Sequence, residues 1–548
     1  MLTYAGASFR YETDTAHDEQ AAVADVHLHV PPSAFLLLTG GSGSGKSTLM
    51  RMGNGLIPHF HPGEFHGTVR VGSADTRDLP VRDLAAKVGF VFQHQEAQLF
   101  NATVERELAF GPRNQGLARA AIAARVQWAA ERTGVVHLLA RSTQHLSGGE
   151  AARVAIACVL TMRPPILMLD EPSAALDPVA VASLWDLLRE LNGDGTSVVI
   201  AEHRVEPAWE HPGTVAVMRD GRLVFGGQLT DALRVPLETR DLALPTVTRL
   251  FVAAGLPERP TNVAEAAAII RSQCLRLQGC RDNLPGPGEL LMRADGLTYA
   301  RDRRVVLDGV TVRLHRGESV ALVGANGAGK TTLLRLLAGL IPPLRGHVVG
   351  ADNQPFLRSR LGLLLQNADH ALFCPTVRQE VAYSARQLAR YDPDWLHELH
   401  VRFALEALLH RPPLSLSDGE KRRVALAAML GHRPDVVLLD EPTAGQDVLR
   451  RDALGATLTT LRRSGVAVLL ATHDLAFAAE HCPRWLVLAG GAILADGPPA
   501  AILDDAATLA RAHLLPTAIA RLAATLGVPY PGEGAIFMGS TPISGSRE

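Results

Sequence analysis

Short apolar runs recur along this chain, each bounded by glycine, proline or a polar residue. "AFLLLT" (34–39), "PPILMLD" (164–170) and "VVIAEH" (198–203) lie in the first half; "SVALV" (319–323), "PDVVLLD" (434–440) and "VLLATH" (468–473) lie in the second. None shows the alternation of a strand with one wet face, so they predict strands buried on both faces, as in a parallel sheet. Helical stretches stand between them. Strands alternating with helices predict α/β units around a mostly parallel sheet.

Two of these strands run into glycine-rich loops. "LTGGSGSGKSTLM" (38–50) and "LVGANGAGKTTLL" (322–334) both fit G-x-x-x-x-G-K-[ST]. Glycines let backbone wrap a phosphate with N–H groups turned inward, and the helix that follows adds its positive end. The phosphate cradles are Gly40, Gly41, Ser42, Gly43, Ser44, Gly45, Lys46, Ser47 and Thr48, and Gly324, Ala325, Asn326, Gly327, Ala328, Gly329, Lys330, Thr331 and Thr332. Lys46 and Lys330 are placed to reach β- and γ-phosphates, with Ser47 and Thr331 as Mg²⁺ ligands.

The loops belong to a longer internal repeat. "HLSGGEAARVAIA" (145–157) matches "SLSDGEKRRVALA" (415–427), and "ILMLDEPSAALD" (166–177) matches "VVLLDEPTAGQD" (436–447). Gln93 matches Gln366, and His203 matches His473 at the same 270-residue offset as Asp170 and Asp440. Lys46 and Lys330 are 284 apart, and much of the excess in the first copy lies in "IPHFHPGEFHG" (57–67). Both copies end alike, in "LPTVTRLFVAAGLP" (244–257) and "LPTAIARLAATLGVP" (515–529). The expected organisation is a first ATPase domain over 1–230, a helical tail and linker over 231–290, a second ATPase domain over 291–500, and a helical tail with a disordered end over 501–548. "RDNLPGPGELL" (281–291) reads as the linker.

Bulk properties narrow the classes. With 54 Lys+Arg against 56 Asp+Glu the formal charge is −2, so no basic field marks a nucleic-acid binder. No apolar stretch approaches the roughly 20 residues that span a bilayer, and "MLTYAGASFRYETD" lacks a secretory layout. Cys158, Cys274, Cys280, Cys374 and Cys482 form no C-x-x-C pair, which suits a reducing compartment. Cys274 and Cys280, in the expected helix "AEAAAIIRSQCLRLQ", read as unpaired thiols.

With P-loop, glutamine loop, L-S-G-G-type signature, apolar strand ending in Asp-Glu, D-loop aspartate and strand-end histidine in order twice, the chain resembles the ATP-binding-cassette family over nearly its whole length. "QLFNATVERELAFGP" (98–112) and "ALFCPTVRQEVAYSA" (371–385) look more narrowly like the ATPases of energy-coupling-factor importers of vitamins, cobalt or nickel. The resemblance implies two tandem P-loop NTPase domains, each with a mainly parallel core sheet, an antiparallel β subdomain and a helical signature subdomain. It implies an ATPase, ATP and Mg²⁺ as ligands, and a peripheral place on the cytoplasmic face of the membrane. The partners implied are integral membrane transport subunits, a coupling protein and a substrate-binding protein, and no nucleic acid.

The same resemblance assigns roles. Asp170 and Asp440, with Ser47 and Thr331, hold Mg²⁺; Glu171 and Glu441 take a proton from the attacking water. Gln93 and Gln366 touch the metal or that water, and His203 and His473 contact the γ-phosphate. Tyr11 and Tyr299 are candidates to stack on adenine. Signature residues Ser147, Gly148 and Gly149, and Ser417, Asp418 and Gly419, complete the opposite copy's site if the domains pair head to tail. Asp418 stands where the family has Gly, and Glu150 and Glu420 stand where it has Gln. Both sites are expected to be active. Glu107 and Glu380 are candidates to receive a helix of the membrane partner, against the plainer reading of surface charges. His59, His61 and His66 are weighed as a metal-sensing cluster against a polar loop leading to "GTVRVG". The rival functions are a ribosome-associated tandem ATPase and a tandem sugar-importer ATPase; the first lacks its charged interdomain arm here.

Overall fold

The computed structural model describes residues 1–12, 21–174, 176–203, 205–210, 213–235, 242–278, 288–301, 304–365, 371–444, 446 and 448–538. Gln366, the Asp418 side chain, Cys280, most of the expected linker and the last ten residues lie outside the described residues. The chain divides into two compact units, Met1–Asn262 with Asp447–Leu449, and Val263–Gln446 with Arg450–Glu548.

In the first unit the strands are β1 (Leu2–Tyr11), β2 (Val23–Val30), β3 (Phe35–Thr39), β4 (Gly63–Val71), β5 (Ala74–Asp75), β6 (Val88–Val91), β7 (Ile166–Asp170), β8 (Ser197–Ala201), β9 (Thr214–Arg219) and β10 (Arg222–Gln228). The core sheet has the order β10-β9-β3-β8-β7-β6, parallel except for the β9–β10 hairpin. A second, antiparallel sheet has the order β2-β1-β4-β5.

The core sheet is buried on both faces, which is why its strands read as unbroken apolar runs. Leu36, Leu38, Met168, Val199 and Met218 face the antiparallel sheet and the P-loop helix, Lys46–Gly53, through Leu49, Met50 and Met52. Leu37, Leu167, Leu169, Ile200 and Val217 face a helical layer built on Val104–Asn114, Gly148–Leu160 and Pro178–Gly193. The extra segment near residue 60 is not a plain loop. It holds a short helix, Leu56–His59, and the start of β4, so His66 lies in a strand opposite Ser8.

The second unit continues with β11 (Arg276–Gln278), β12 (Leu290–Arg301), β13 (Arg304–His315), β14 (Ser319–Val323), β15 (Arg345–Gly350), β16 (Leu361–Leu364), β17 (Val436–Asp440), β18 (Ala467–Thr472), β19 (Arg484–Ala489), β20 (Ala492–Gly497) and β21 (Ile536–Met538). Its core sheet repeats the first, in the order β16-β17-β18-β14-β19-β20, beside an antiparallel sheet β13-β12-β15. The helix expected through Cys274 stops at Ser272; Cys274 has φ 53°, and the chain then enters β11. β11 pairs antiparallel with β21 near the C-terminus, and Arg271 donates to the Thr525 carbonyl. The stretch 263–278 is thus folded into the second unit with that unit's own tail.

Candidate active site

Each P-loop connects the end of a central strand to a helix, and steric limits dictate its glycines. Gly45 has φ 96°, and a Cβ there would stand 2.3 Å from the Ala22 carbonyl oxygen. Gly329, its counterpart, has φ 105°, with Leu307 Cδ2 at 2.9 Å from the same imagined atom. Such backbone is open to glycine and costly for other residues. The two lysines are buried and anchored by their own loops. Lys46 Nζ donates to the carbonyls of Gly40 (2.9 Å) and Gly41 (3.0 Å). Lys330 Nζ donates to those of Gly324 (2.8 Å) and Ala325 (3.3 Å).

The buried strands β7 and β17 end in the acidic pairs Asp170-Glu171 and Asp440-Glu441, all under 9 % exposed. Burial pushes the Asp170 and Asp440 carboxyls up, with the Ser47 and Thr331 hydroxyls pulling the other way. Asp170 Oδ1 and both Asp440 carboxylate oxygens are buried without a hydrogen-bond partner among the described residues. Orphaned carboxylate oxygens beside a hydroxyl are the hard oxygen donors that Mg²⁺ prefers. Few protein ligands are needed there, because Mg²⁺ keeps waters and takes substrate phosphates. The residues present therefore fit the ion.

Around Glu171 the expected neighbours converge. Gln93 Nε2 donates to its Oε2 at 2.8 Å, and His203 Nε2 lies 2.9 Å from its Oε1. Glu441 has His473 Nδ1 at 2.9 Å and Lys330 Nζ at 3.4 Å. Burial alone would raise the Glu441 carboxyl; His473 and then Lys330 outweigh it and hold the group down at about 2. Glu171 and Glu441 also share a left-handed backbone, with φ 47° and 46°.

The signature helices explain a departure noted in the sequence. Glu150 Oε2 accepts the Ser147 N–H at 2.7 Å while the Ser147 hydroxyl accepts the Glu150 N–H at 3.3 Å. Arg141 lies 2.9 Å from the other carboxylate oxygen. Glu420 Oε2 likewise accepts from Ser417 N–H (2.9 Å) and from its hydroxyl (2.7 Å). A glutamate at this position closes a capping box, and S-x-x-E announces it in the sequence.

Other candidates land less centrally. Tyr11 bonds Thr48 Oγ1 at 3.1 Å and packs edge-on against Phe9. Tyr299 is half-buried against the core of its unit. His59 bonds the Thr76 carbonyl and His61 lies against the Tyr11 ring. Among the described residues, no group of three or more His, Cys, Asp or Glu is placed to hold a metal ion. Glu107 and Glu380 are not surface charges. Both are buried, and each carboxylate accepts two loop amides, from Phe100 and Asn101 and from Phe373 and Cys374. Each loop and the helix after it expose an edge-to-face ring pair: Phe100 with Phe110, and Phe373 with Tyr383, both at 4.8 Å.

Sequence reasoning missed two charged side chains beside these sites, one buried and one half-buried. Glu202 precedes His203, and Arg422 lies on the second signature helix. Burial pulls the Arg422 guanidinium down to about 10, with Glu441 and Asp440 opposing it. The one signal for either was a mismatch between the copies, Glu202 against Thr472 and Arg422 against Ala152.

Comparison with known proteins agrees with this geometry. A family model described as ABC transporter matches residues 23–174 and 307–444. A protein of Methanosarcina acetivorans named "Putative ABC transporter ATP-binding protein" is 34% identical over 94% of this chain and 90% of its own length. A similarly named Streptomyces coelicolor protein is 34% identical over 92% of this chain and 95% of its own. Among solved structures, cbiO1 from Clostridium perfringens, titled as part of the ABC transporter complex cbiONQ, is 27% identical over 40% of this chain and 92% of that chain, with a TM-score of 0.36. Two P-loops on two copies of one α/β core, matched by this family along the chain, lead to one conclusion: the protein belongs to the ABC transporter ATP-binding family and is an ATPase with two such domains in tandem.

Proposed function

We propose that this chain is the ATP-hydrolysing subunit of an importer of the energy-coupling-factor type, which takes up a vitamin or a transition metal. The observation that carries this reading is the repeated loop after each glutamine loop. In both units a buried glutamate gathers two amides, and an aromatic pair is left on the surface. An exposed pair of rings, repeated in both units, suits a helix of a membrane subunit. Among the described residues no helix is long and apolar enough to cross a membrane, and we place the translocation path in partner subunits. The working position is peripheral, on the cytoplasmic face.

The chemistry follows from the site. The P-loop amides and Lys46 or Lys330 bind the β- and γ-phosphates, while Tyr11 and Tyr299 offer ring faces to adenine. Mg²⁺ would be held by Asp170 with Ser47 and by Asp440 with Thr331, and would offset phosphate charge there. Glu171 and Glu441 accept the proton of the attacking water. Gln93 and Gln366 orient that water, and His203 and His473 contact the γ-phosphate. Ser417 and Gly419 complete the first site and Ser147 and Gly149 the second, each signature helix presenting its N-terminus to the opposite γ-phosphate. Hydrolysis removes that bridge and separates the domains, which drives the membrane subunits.

Affinity capture from membranes tests the reading. The tagged chain should bring down an integral membrane subunit together with a small substrate-binding membrane protein. Recovery of ribosomes, or of sugar-importer permeases, would replace the proposal with one of its rivals.

A further inference from the structure

Beyond the assigned residues, the turn after each catalytic glutamate is held in opposite ways in the two units. The turns are Glu171-Pro172-Ser173-Ala174 and Glu441-Pro442-Thr443-Ala444. Their first residues sit at φ 47° and 46°, a region a glutamate occupies only where its surroundings fix it. In the first unit Glu202, 2 % exposed at the end of β8, accepts the Ser173 N–H at 3.0 Å. The equivalent position in the second unit is Thr472, whose hydroxyl accepts the Asp474 N–H instead. In the second unit Arg422 donates to the Glu441 carbonyl at 2.5 Å and to the Ala444 carbonyl at 3.4 Å. Its equivalent in the first unit is Ala152.

We propose that Glu202 and Arg422 are positioning residues for hydrolysis, each fixing the strained turn that aims its unit's glutamate at the water. They are two solutions to one requirement. A carboxyl oxygen grips the turn by an amide hydrogen, or a guanidinium grips it by carbonyl oxygens, the first bond buried and the second part-buried. The anchor differs too. The first turn is tied to the strand that leads into His203, and the second to the signature helix. This inference rests on reading Glu171 and Glu441 as the bases.

Steady-state phosphate release by the full-length chain tests it. With the other unit's site silenced, by Glu441→Gln for Glu202→Thr and by Glu171→Gln for Arg422→Ala, each substitution should lower kcat about tenfold with KM for ATP within about twofold, because the base is misaimed and binding is untouched. Glu202→Gln should keep kcat within about twofold, since its amide oxygen accepts the same N–H. Adding Ala152→Arg to Glu202→Thr should restore most of the lost kcat by installing the second unit's grip in the first. A lower Tm with unchanged kcat in the Thr and Ala variants would reduce both residues to packing and overturn the proposal. So would a Gln variant as slow as the Thr variant, or a loss confined to KM. If Glu202→Thr does not fold, Glu202→Gln and Arg422→Ala still decide the matter. Failure of the base assignment is read separately: Glu171→Gln with Glu441→Gln would then keep turning over ATP.

Discussion

Both acidic strand ends are met by a histidine, Glu171 by His203 and Glu441 by His473. The two carboxylates end equivalent strands with nearly the same backbone angle, so the scaffold is common and the turn of the imidazole is not. His203 turns Nε2 toward its glutamate, whereas His473 turns Nδ1. On the proposed assignment, the reacting groups are common to both copies and the groups that aim them have diverged. The grip on each catalytic turn has even changed sign.

The comparison breaks most visibly at the bases. Glu171→Gln and Glu441→Gln together should slow phosphate release by about 10² to 10⁴, the usual contribution of a general base, while each alone leaves the other site turning over. A gap of more than about tenfold between the two variants would show that one site carries most of the turnover. Joined in one chain, they should trap an ATP-bound form visible by filter binding. The phosphate loops sharpen the comparison next. An alanine Cβ at Gly45 meets backbone at 2.3 Å, while at Gly329 it meets the end of a flexible leucine at 2.9 Å. Both positions carry the left-handed penalty of about 1–2 kcal/mol, so Gly45→Ala should destabilise by about 3 kcal/mol or more and Gly329→Ala by about 2. Urea midpoints of the two variants check the order.

Much of this asymmetry was invisible in the sequence for a physical reason. Fold class and the acidic strand ends were legible because burial on both faces leaves an unbroken apolar run, as in Ile166–Asp170. The cradles were legible because positive φ demands glycine at fixed places, such as Gly45 and Gly329. Glu150 looked like a defect in a motif, yet its spacing from Ser147 already spelled a capping box. Glu107 and Glu380 are candidates in the sequence for partner-helix contacts or surface charges, and their burial was not legible because helical periodicity does not reveal a loop folding back over a carboxylate. Nor could the ends of the middle segment be read. Residues 276–278 pair with 536–538, and three-residue strands carry too little pattern to announce a partner so distant in the chain.

A structural difference of intermediate size separates the edges of the core sheets. Arg484 on β19 pairs with both Asp496 oxygens at 2.6 and 2.7 Å and with Glu318 at 3.0 Å, and it donates to the Arg313 carbonyl. Its counterpart on β9 is Thr214, whose hydroxyl donates to the Phe35 carbonyl at 3.0 Å. Arg484→Ala should cost about 2 kcal/mol because two carboxylates lose a shared cation. Thr214→Val should cost about 1 kcal/mol. Separate thermal transitions for the two units, followed by calorimetry, would show which one moves.

The smallest effect should come from the exposed ring pairs. Phe110 and Tyr383 are each 42% exposed and meet Phe100 and Phe373 in the same edge-to-face geometry. An aromatic pair adds about 0.5–1.5 kcal/mol when well packed, and less where water reaches both rings. Phe110→Ala and Tyr383→Ala should therefore each lower stability by under about 1 kcal/mol, and by similar amounts. A much larger loss in either would mean that its rings serve the fold of that unit. Equal small losses would leave the surface pairs without a structural reason to be kept in both copies, which is what a surface retained for a partner requires.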